Sequence, residues 1–170
     1  MAKRHDEAIP TIRPATRADA PAVAAIYNDA LEERQSTFET QPRSAGDFAR
    51  PIRDGRLHLV TTDGAGAPLG WARLGEYSPR PCYSGVGEAS VYVDRAARGR
   101  GLGRALFDAL AEEAERRGYW KLVGLLFATN EASVALCRAV GCREVGVLER
   151  HGRLDGEWRD VILVEKLLSP

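Results

Sequence analysis

The segment Arg98–Arg104 (RGRGLGR) is the feature of this 170-residue chain that most constrains its fold. It follows Ala89–Val93 (ASVYV), a run typical of a strand. After it, Leu106 and Leu110 recur at helical spacing, and Gly118 is the expected helix stop. A glycine turn that leads from a strand into a helix exposes unpaired N–H groups at the positive end of the helix dipole. The sequence therefore predicts a phosphate cradle within an α/β arrangement.

The two best-known phosphate-binding patterns do not fit this turn. A P-loop requires GxxxxGK[ST], which is absent from the sequence. In a dinucleotide fingerprint that starts at Gly99, the third glycine would fall at position 104, which is Arg104. The 24 basic and 24 acidic residues give zero formal net charge, which argues against nucleic acid as a partner. The remaining pattern is R-x-x-G-x-G, formed by Arg98, Gly101 and Gly103.

Strand and helix patterns continue on both sides of the turn. Thr16 followed by Asp19 is a helix-start signature. The expected strands cover 11–13, 57–62, 69–77, 89–93, 121–128, 145–148 and 161–167, and the expected helices cover 16–33, 45–52, the stretch from the glycine turn to Gly118, and 130–140. This order predicts a mixed α/β or α+β sheet, in which the apolar strand 121–128 is buried on both faces. Residues 11–170 are expected to form one domain after a flexible leader at residues 1–10.

Three motifs in order resemble the GNAT superfamily of acyl-CoA-dependent N-acetyltransferases. They are Glu88–Val93 (EASVYV), Arg98–Gly103 and Asn130–Gly141 (NEASVALCRAVG). The resemblance implies a GNAT fold: a mostly antiparallel sheet flanked by helices, with a splayed parallel strand pair at the acetyl-CoA site. The strand pairs with the pantetheine arm, and the loop amides surround the diphosphate. The residues implied around acetyl-CoA are Val91, Tyr92, Val93, Arg98, Gly99, Arg100, Gly101, Leu102, Gly103, Arg104, Asn130 and Ser133.

Further segments are similar to the phosphinothricin and methionine sulfoximine N-acetyltransferases. The segments are 25–28 (AIYN), 36–40 (STFET), 80–83 (RPCY), 88–93 (EASVYV) and 156–160 (GEWRD). The resemblance implies acetylation of the α-amine of a glutamate-like amino acid. The implied substrate-binding residues are Asn28, Thr37, Phe38, Arg80 and Tyr83. The resemblance implies that Arg80 and Tyr83 face the acidic head or carboxylate of the substrate, and a guanidinium and a phenol are suited to such an oxyanion.

Acetyl transfer requires a neutral amine, so the site must remove a proton from the substrate. By resemblance Glu88 is the expected base, acting directly or through one water. A backbone N–H near Val93 is expected to meet the developing oxyanion. Cys137 occupies the position where relatives often carry Tyr or His. Its thiol is a candidate to return a proton to the CoA thiolate, and the alternative is a buried apolar filler, with water as the acid.

Two other functions compete with this interpretation. One is GNAT catalysis on a different amine, such as a protein N-terminus, a polyamine or an aminoglycoside, because Arg150–Asp160 also resembles other GNAT members. The other is a non-catalytic sensor that binds acyl-CoA. An inward-facing Arg80 would favour a small acidic substrate, whereas inward carboxylates would favour polyamines or aminoglycosides.

Partners and location follow from the remaining features. The three cysteines form no CxxC or Cys/His cluster, so no metal and no disulfide framework is expected. No apolar run approaches the roughly 20 residues that span a bilayer, and the amino-terminal residues lack an apolar signal core, so a cytoplasmic protein without membrane partners is expected. His151 is placed in a loop. The resemblance implies a homodimer.

Overall fold

The computed structural model describes residues 11–169 as a seven-stranded mixed sheet with helices on both faces. The strands are β1 (Thr11–Pro14), β2 (His58–Thr62), β3 (Pro68–Glu76), β4 (Val86–Val93), β5 (Lys121–Phe127), β6 (Arg143–Leu154) and β7 (Glu157–Leu167), and the α-helices are α1 (Ala20–Glu32), α2 (Ala45–Arg53), α3 (Leu102–Arg116) and α4 (Glu131–Ala139). This order confirms the predicted fold class. The leader predicted at residues 1–10 lies outside the described residues.

The sheet contains the splayed parallel pair that the sequence predicted. Its strand order is β1-β2-β3-β4-β5-β7-β6, and among the described pairings β4–β5 alone is parallel. That pairing runs only from Val86 opposite Lys121 to Glu88 opposite Val123. Beyond Glu88, β4 stays with β3 and β5 stays with β7, so the two strands diverge. The edge of β4 that faces β5 is therefore left without a strand partner over its second half.

The two faces of the sheet carry separate cores. On β3, Trp71 packs with Tyr27 and Phe48 from α1 and α2, whereas Ala72 packs against α3. On β4, Tyr92 joins the α1–α2 core, and its neighbours Val91 and Val93 join the α3 core. Side chains alternate along a strand, so Glu88 and Ser90 lie on the same face as Tyr92.

The carboxyl-terminal hairpin is longer than the sequence suggested. The expected strands at 145–148 and 161–167 extend to β6 and β7, which are joined by Asp155 (φ 51°) and Gly156 (φ 84°). An Asp-Gly pair with positive φ at both positions is the preferred two-residue hairpin turn. Residues 149–153 are mostly exposed polar side chains, so they lack the apolar alternation that signals a strand. Placing His151 in a loop was wrong, because it lies within β6.

The burial expected for β5 was also wrong in part. Leu122 and Val123 are buried, but Leu125 is 47% exposed, because β4 has moved away from this part of β5. The divergence that exposes Leu125 also leaves open space between β4 and β5 on both faces of the sheet. None of the helices within residues 11–169 is long and apolar enough to cross a membrane.

Candidate active site

The glycine turn has the backbone geometry of an anion cradle. Gly99 and Gly101 both have φ 77°, and Gly101 is the N-cap of α3. Residues other than glycine rarely adopt this backbone conformation, and a Cβ added to either glycine would meet no atom within 4 Å. The first N–H groups of α3 have no intrahelical acceptor, and the positive end of the helix dipole lies there. The turn can therefore bring backbone donors close to a phosphate.

Arginines fasten this turn to its neighbours. Arg98 contacts the Glu33 carboxylate at 3.0 Å and donates from Nε to the Val93 carbonyl oxygen at 3.3 Å. Arg95 donates to Glu33 at 2.8 Å. Burial alone would raise the pKa of Glu33, but the hydrogen bonds from Arg98 and Arg95 lower it overall. Arg104 lies 3.6 Å from Asp108 on the exposed face of α3.

A groove of about 360 Å³ runs from Gly99 and Gly101 along β4 to Ser133 on α4. We call it the glycine groove. All but one of the residues predicted around acetyl-CoA line it: Val91, Tyr92, Val93, Arg98, Gly99, Gly101, Leu102, Gly103, Arg104, Asn130 and Ser133. Arg100 lies exposed in the same turn, outside this lining.

Asn130 shapes the far end of the glycine groove. Its side-chain oxygen accepts from the Ser133 N–H at 3.1 Å, which caps α4, and its Nδ2 donates to the Gln35 carbonyl oxygen at 2.9 Å. One side chain thus fixes both the start of α4 and the loop after α1.

A second cavity of about 360 Å³ contains Glu88, and we call it the Glu88 cavity. Glu88 lies at the last paired position of β4 and β5 and is half-buried. Thr37, Phe38 and His151 also line the cavity. The residues that line both the Glu88 cavity and the glycine groove are Ser36, Val91, Tyr92, Asn130 and Ser133. A ligand extended along the groove from the cradle would therefore end beside Glu88.

The loop after α1 carries a second carboxylate, whose charge is already neutralised. Glu39 accepts hydrogen bonds from Tyr27 Oη at 3.0 Å and from Arg43 Nε at 2.7 Å. Arg43 Nη2 also binds Glu39 Oε1. The hydrogen bonds from Arg43 lower the pKa of Glu39 against the opposing effect of burial. Glu39 is therefore an ionised, paired carboxylate in the cavity wall.

Asn28 supports this loop from outside the cavity. Its side chain donates to the Arg43 carbonyl oxygen and accepts from the Arg43 N–H, both at 2.9 Å. It does not line the Glu88 cavity, whereas Thr37 and Phe38 do. The structure thus gives Asn28 a positioning role for the loop, and direct substrate contact by Asn28 stays a prediction.

Sequence reasoning missed Arg73, which lines the Glu88 cavity from β3. It pairs in register with Ser90 and is half-buried. Its Nε is buried and has no hydrogen-bond partner, and Arg73 forms no salt bridge within residues 11–169. The sequence contains a signal for this position, because Arg73 is two residues after Trp71 on the same strand and Ala72 and Leu74 point to the other face. That parity puts Arg73 on the same face as Trp71.

Arg80 and Tyr83 line a different cavity, of about 430 Å³, which we call the loop cavity. It lies between the β3–β4 loop, the α2–β2 loop and the end of α3, and Glu88 does not line it. The Arg80 guanidinium lies 5.6 Å from the centre of the Tyr83 ring, and Tyr83 is 38% exposed. The structure therefore does not bring Arg80 and Tyr83 together with Glu88.

Cys137 lies in the last turn of α4, beside Cys142. The Cys142 N–H donates to the Cys137 carbonyl oxygen at 2.9 Å and Gly141 has φ 78°, which form the Schellman motif that brings these two side chains together. Both line an apolar cavity of about 60 Å³ that adjoins Val91 and Ser133. The hydrogen bond with Cys142, together with burial, raises the pKa of the Cys137 thiol. Cys137 therefore holds its proton more tightly than a free thiol.

A mixed sheet whose splayed strands lie between a glycine turn and a carboxylate-bearing cavity is the arrangement that the resemblance to the GNAT acetyltransferases implied. The profile of the Acetyltransferase (GNAT) family matches residues 23–142. The L-methionine sulfoximine/L-methionine sulfone acetyltransferase of Pseudomonas paraeruginosa is 35% identical over 164 residues, covering 94% of this chain and 95% of that protein.

Two crystal structures superpose closely on the chain. A ribosomal-protein-alanine N-acetyltransferase from Brucella melitensis has a TM-score of 0.87 at 37% identity and covers 93% of this chain and 99% of its own. A GNAT superfamily phosphinothricin acetyltransferase from Sinorhizobium meliloti, in complex with acetyl-CoA, has a TM-score of 0.87 at 27% identity, with coverage of 94% and 89%. The chain belongs to the Acetyltransferase (GNAT) family and is an acetyl-transferring enzyme.

Proposed function

We propose that this enzyme transfers an acetyl group from acetyl-CoA to the α-amine of a small amino acid of the methionine sulfoximine or phosphinothricin type. The observation that carries the proposal is the continuity of the glycine groove with the Glu88 cavity through five shared lining residues. An extended donor held at the cradle would present its reactive end to an acceptor beside Glu88. The similarity to a methionine sulfoximine acetyltransferase supports this acceptor class.

The residues of the glycine groove fit acetyl-CoA. The open space in front of Gly99 and Gly101 and the free amides at the start of α3 suit the diphosphate. The unpaired edge of β4 around Val91 and Val93 suits the pantetheine arm, which would replace the missing strand partner. Bound acetyl-CoA supplies the activated acetyl group as a thioester.

Glu88 would take the proton from the substrate amine, directly or through one water. The α-amine of an amino acid is largely protonated near neutral pH. A positioned base typically raises the rate of such a reaction by about 10²- to 10⁴-fold. Glu88 is half-buried where β4 and β5 separate, so it faces the cavity without being withdrawn into the core. A backbone N–H near Val93 would stabilise the negative charge that develops on the carbonyl oxygen.

Cys137 is the chain's candidate for returning a proton to the sulfur. The side chain of Cys137 lines a small apolar cavity together with Cys142, and the hydrogen bond with Cys142 and burial raise the pKa of its thiol. We therefore assign Cys137 to packing at the end of α4. A CoA thiolate is a weak base that can leave without a positioned acid and take its proton from solvent.

The proposal includes a homodimer in the cytoplasm. β6 is an edge strand on which Val145 and Val147 are 43% and 48% exposed. An exposed apolar edge strand is a preferred site for pairing with another chain. Sedimentation should give a dimer mass, and Val147→Asp should shift it toward the monomer. An unchanged monomer mass for the parent protein would refute the dimer.

An amine panel tests the proposed function. The assay follows CoA release with L-methionine sulfoximine, phosphinothricin, spermidine, an aminoglycoside and a peptide with an amino-terminal alanine. We expect the highest kcat/KM for the first two. The peptide represents the second candidate, protein N-terminal acetylation, which the similarity to the Brucella melitensis structure favours. Preference for the peptide would establish that candidate, and acetyl-CoA binding without any turnover would indicate a sensor.

A further inference from the structure

We infer that Arg73 binds the α-carboxylate of the amino acid whose amine is acetylated. This role would make Arg73 the residue that selects amino acids over simple amines. The inference rests on the proposed function and names a contact that the sequence had placed at Arg80.

Arg73 lies near enough to Glu39 to help lower the pKa of that carboxylate, but among the described residues no hydrogen bond or salt bridge holds its guanidinium. Arg43 already neutralises the other acidic residue of the loop wall, Glu39. Arg73 forms no salt bridge within residues 11–169, and its buried Nε lacks a hydrogen-bond acceptor. A half-buried guanidinium with an unmade hydrogen bond is unfavourable unless water or a ligand supplies the acceptor, and a charged acceptor makes the stronger bond. A carboxylate fits this requirement, because its two oxygens match the planar guanidinium.

The register of β3 and β4 places this cation close to Glu88. Arg73 is opposite Ser90, two residues along β4 from Glu88 and on the same face of the sheet. Such diagonal neighbours lie roughly 7–8 Å apart across an antiparallel pair. The residue opposite Glu88 is Gly75, so β3 places no side chain directly across from Glu88. Glu88 and Arg73 therefore form a negative and a positive site side by side.

An amino acid zwitterion complements this pair of charges. Its amine and its α-carboxylate are attached to the same carbon, so an amine at Glu88 brings the carboxylate within reach of Arg73. The acidic head of a glutamate-like side chain lies several bonds further away. The short diagonal separation thus favours the α-carboxylate over the side-chain head as the group that Arg73 binds.

Arg80 is the competing candidate for this contact. It lines the loop cavity, where its guanidinium lies over the Tyr83 ring, and Glu88 is absent from that lining. A substrate bound to Arg80 in the loop cavity would hold its amine away from Glu88. Carboxylate binding by Arg73 would therefore place the substrate amine at Glu88, whereas binding by Arg80 would not.

Kinetics with a matched pair of amines test the inference. The pair is L-methionine sulfone and 3-(methylsulfonyl)propan-1-amine, which is the same molecule without its carboxylate. Arg73→Ala should raise KM for L-methionine sulfone by about 10- to 100-fold, the range of a hydrogen-bonded charged contact. KM for the amine without a carboxylate should change by less than about 2-fold, and Arg73→Lys should recover part of the loss. Arg56→Ala is the matched control, because Arg56 lines the loop cavity.

Three outcomes would overturn the inference. They are an unchanged KM in Arg73→Ala, an equal loss for both amines, and a carboxylate-specific loss in Arg80→Ala instead. A calorimetric titration of L-methionine sulfone into CoA-saturated Glu88→Gln, with and without Arg73→Ala, measures the contact without turnover. Binding that depends on Arg73 in a parent enzyme that does not acetylate L-methionine sulfone would support the contact and refute the proposed function. Turnover that does not depend on Arg73 would do the reverse, and absence of binding to the parent would refute the contact.

Discussion

The Glu88 cavity and the loop cavity both lie along β3 and β4, and both are lined by arginine and glutamate side chains. In the Glu88 cavity, Arg73 is fixed on a strand, and its buried Nε has no partner. In the loop cavity, Arg80 lies in an exposed loop and stacks on Tyr83. A strand fixes the direction of a side chain even where burial is unfavourable, whereas a loop residue can turn toward water or an aromatic ring. Arg34 and Arg159 also have a buried nitrogen without a hydrogen-bond partner, but each forms a salt bridge, so the proposal for Arg73 rests on an unpartnered guanidinium that also lines the Glu88 cavity.

The glutamates differ in the same way. Glu88 is half-buried at the point where β4 and β5 separate, and Glu76 is exposed at the end of β3. Of these two cavities, the Glu88 cavity shares lining residues with the glycine groove, and the loop cavity shares none. The comparison therefore supports the proposal that acetyl transfer takes place in the Glu88 cavity and not in the loop cavity.

Exchanging the carboxylates for amides gives the largest expected contrast. Glu88→Gln should lower kcat by about 10²-fold or more, because the amide cannot accept the amine proton. Its affinity for acetyl-CoA should be unchanged by calorimetry. The matched variant Glu76→Gln should keep the parent kcat. Equal kcat values for the two variants would remove Glu88 as the base.

A side chain that blocks the glycine turn should weaken CoA binding, whereas the same substitution away from the turn should not. Gly101→Val should weaken CoA binding by at least about 10-fold, since the side chain intrudes where the phosphate approaches and strains the N-cap of α3. Gly66→Val is the control, because Gly66 also has positive φ (86°) and open space but lies in the β2–β3 turn. If both variants bind CoA with the same affinity, the cradle does not hold the diphosphate.

Loosening the loop after α1 at Arg43 should disturb the Glu88 cavity more than the glycine groove, which this loop lines through Gln35 and Ser36. Asn28→Ala removes two hydrogen bonds to the Arg43 backbone and should lower the free energy of unfolding by about 1–3 kcal/mol. It should also raise KM for the amine while leaving the affinity for CoA unchanged. Chemical denaturation and steady-state kinetics measure the two effects. If the free energy of unfolding falls as expected but KM for the amine is unchanged, Asn28 has a purely structural role.

The smallest effect is expected at Cys137. Cys137→Ser should change kcat by less than about 3-fold across the pH range of activity, because a thiol with a raised pKa is a poor acid. A loss of about 10²-fold in kcat that persists at every pH tested would instead make Cys137 the general acid.

The sequence predicted much of the fold because its strongest signals are local. The glycines of the turn, the strand before it and the helix after it each follow from residue type and spacing, and the structure confirms the resulting order of elements. The strands at 145–148 and 161–167 were predicted, but the extension of the hairpin to the Asp155–Gly156 turn was missed because residues 149–153 are polar or glycine and lack apolar alternation.

The site was predictable where it depends on backbone and less so where it depends on the path of loops. The cradle residues came together as expected around the glycine groove. The pairing of Glu39 with Arg43 depends on how the loop after α1 folds back, which residue spacing does not reveal. Arg73 was detectable from strand parity alone, but the resemblance drew attention to Arg80 instead.

A crystal structure with CoA and L-methionine sulfone bound tests the central claim most directly. We expect the diphosphate on the first amides of α3, the amine within hydrogen-bond reach of Glu88 or one water away, and the carboxylate on Arg73. A complex that leaves the glycine turn empty, or that seats the amino acid against Arg80 in the loop cavity, would contradict the account.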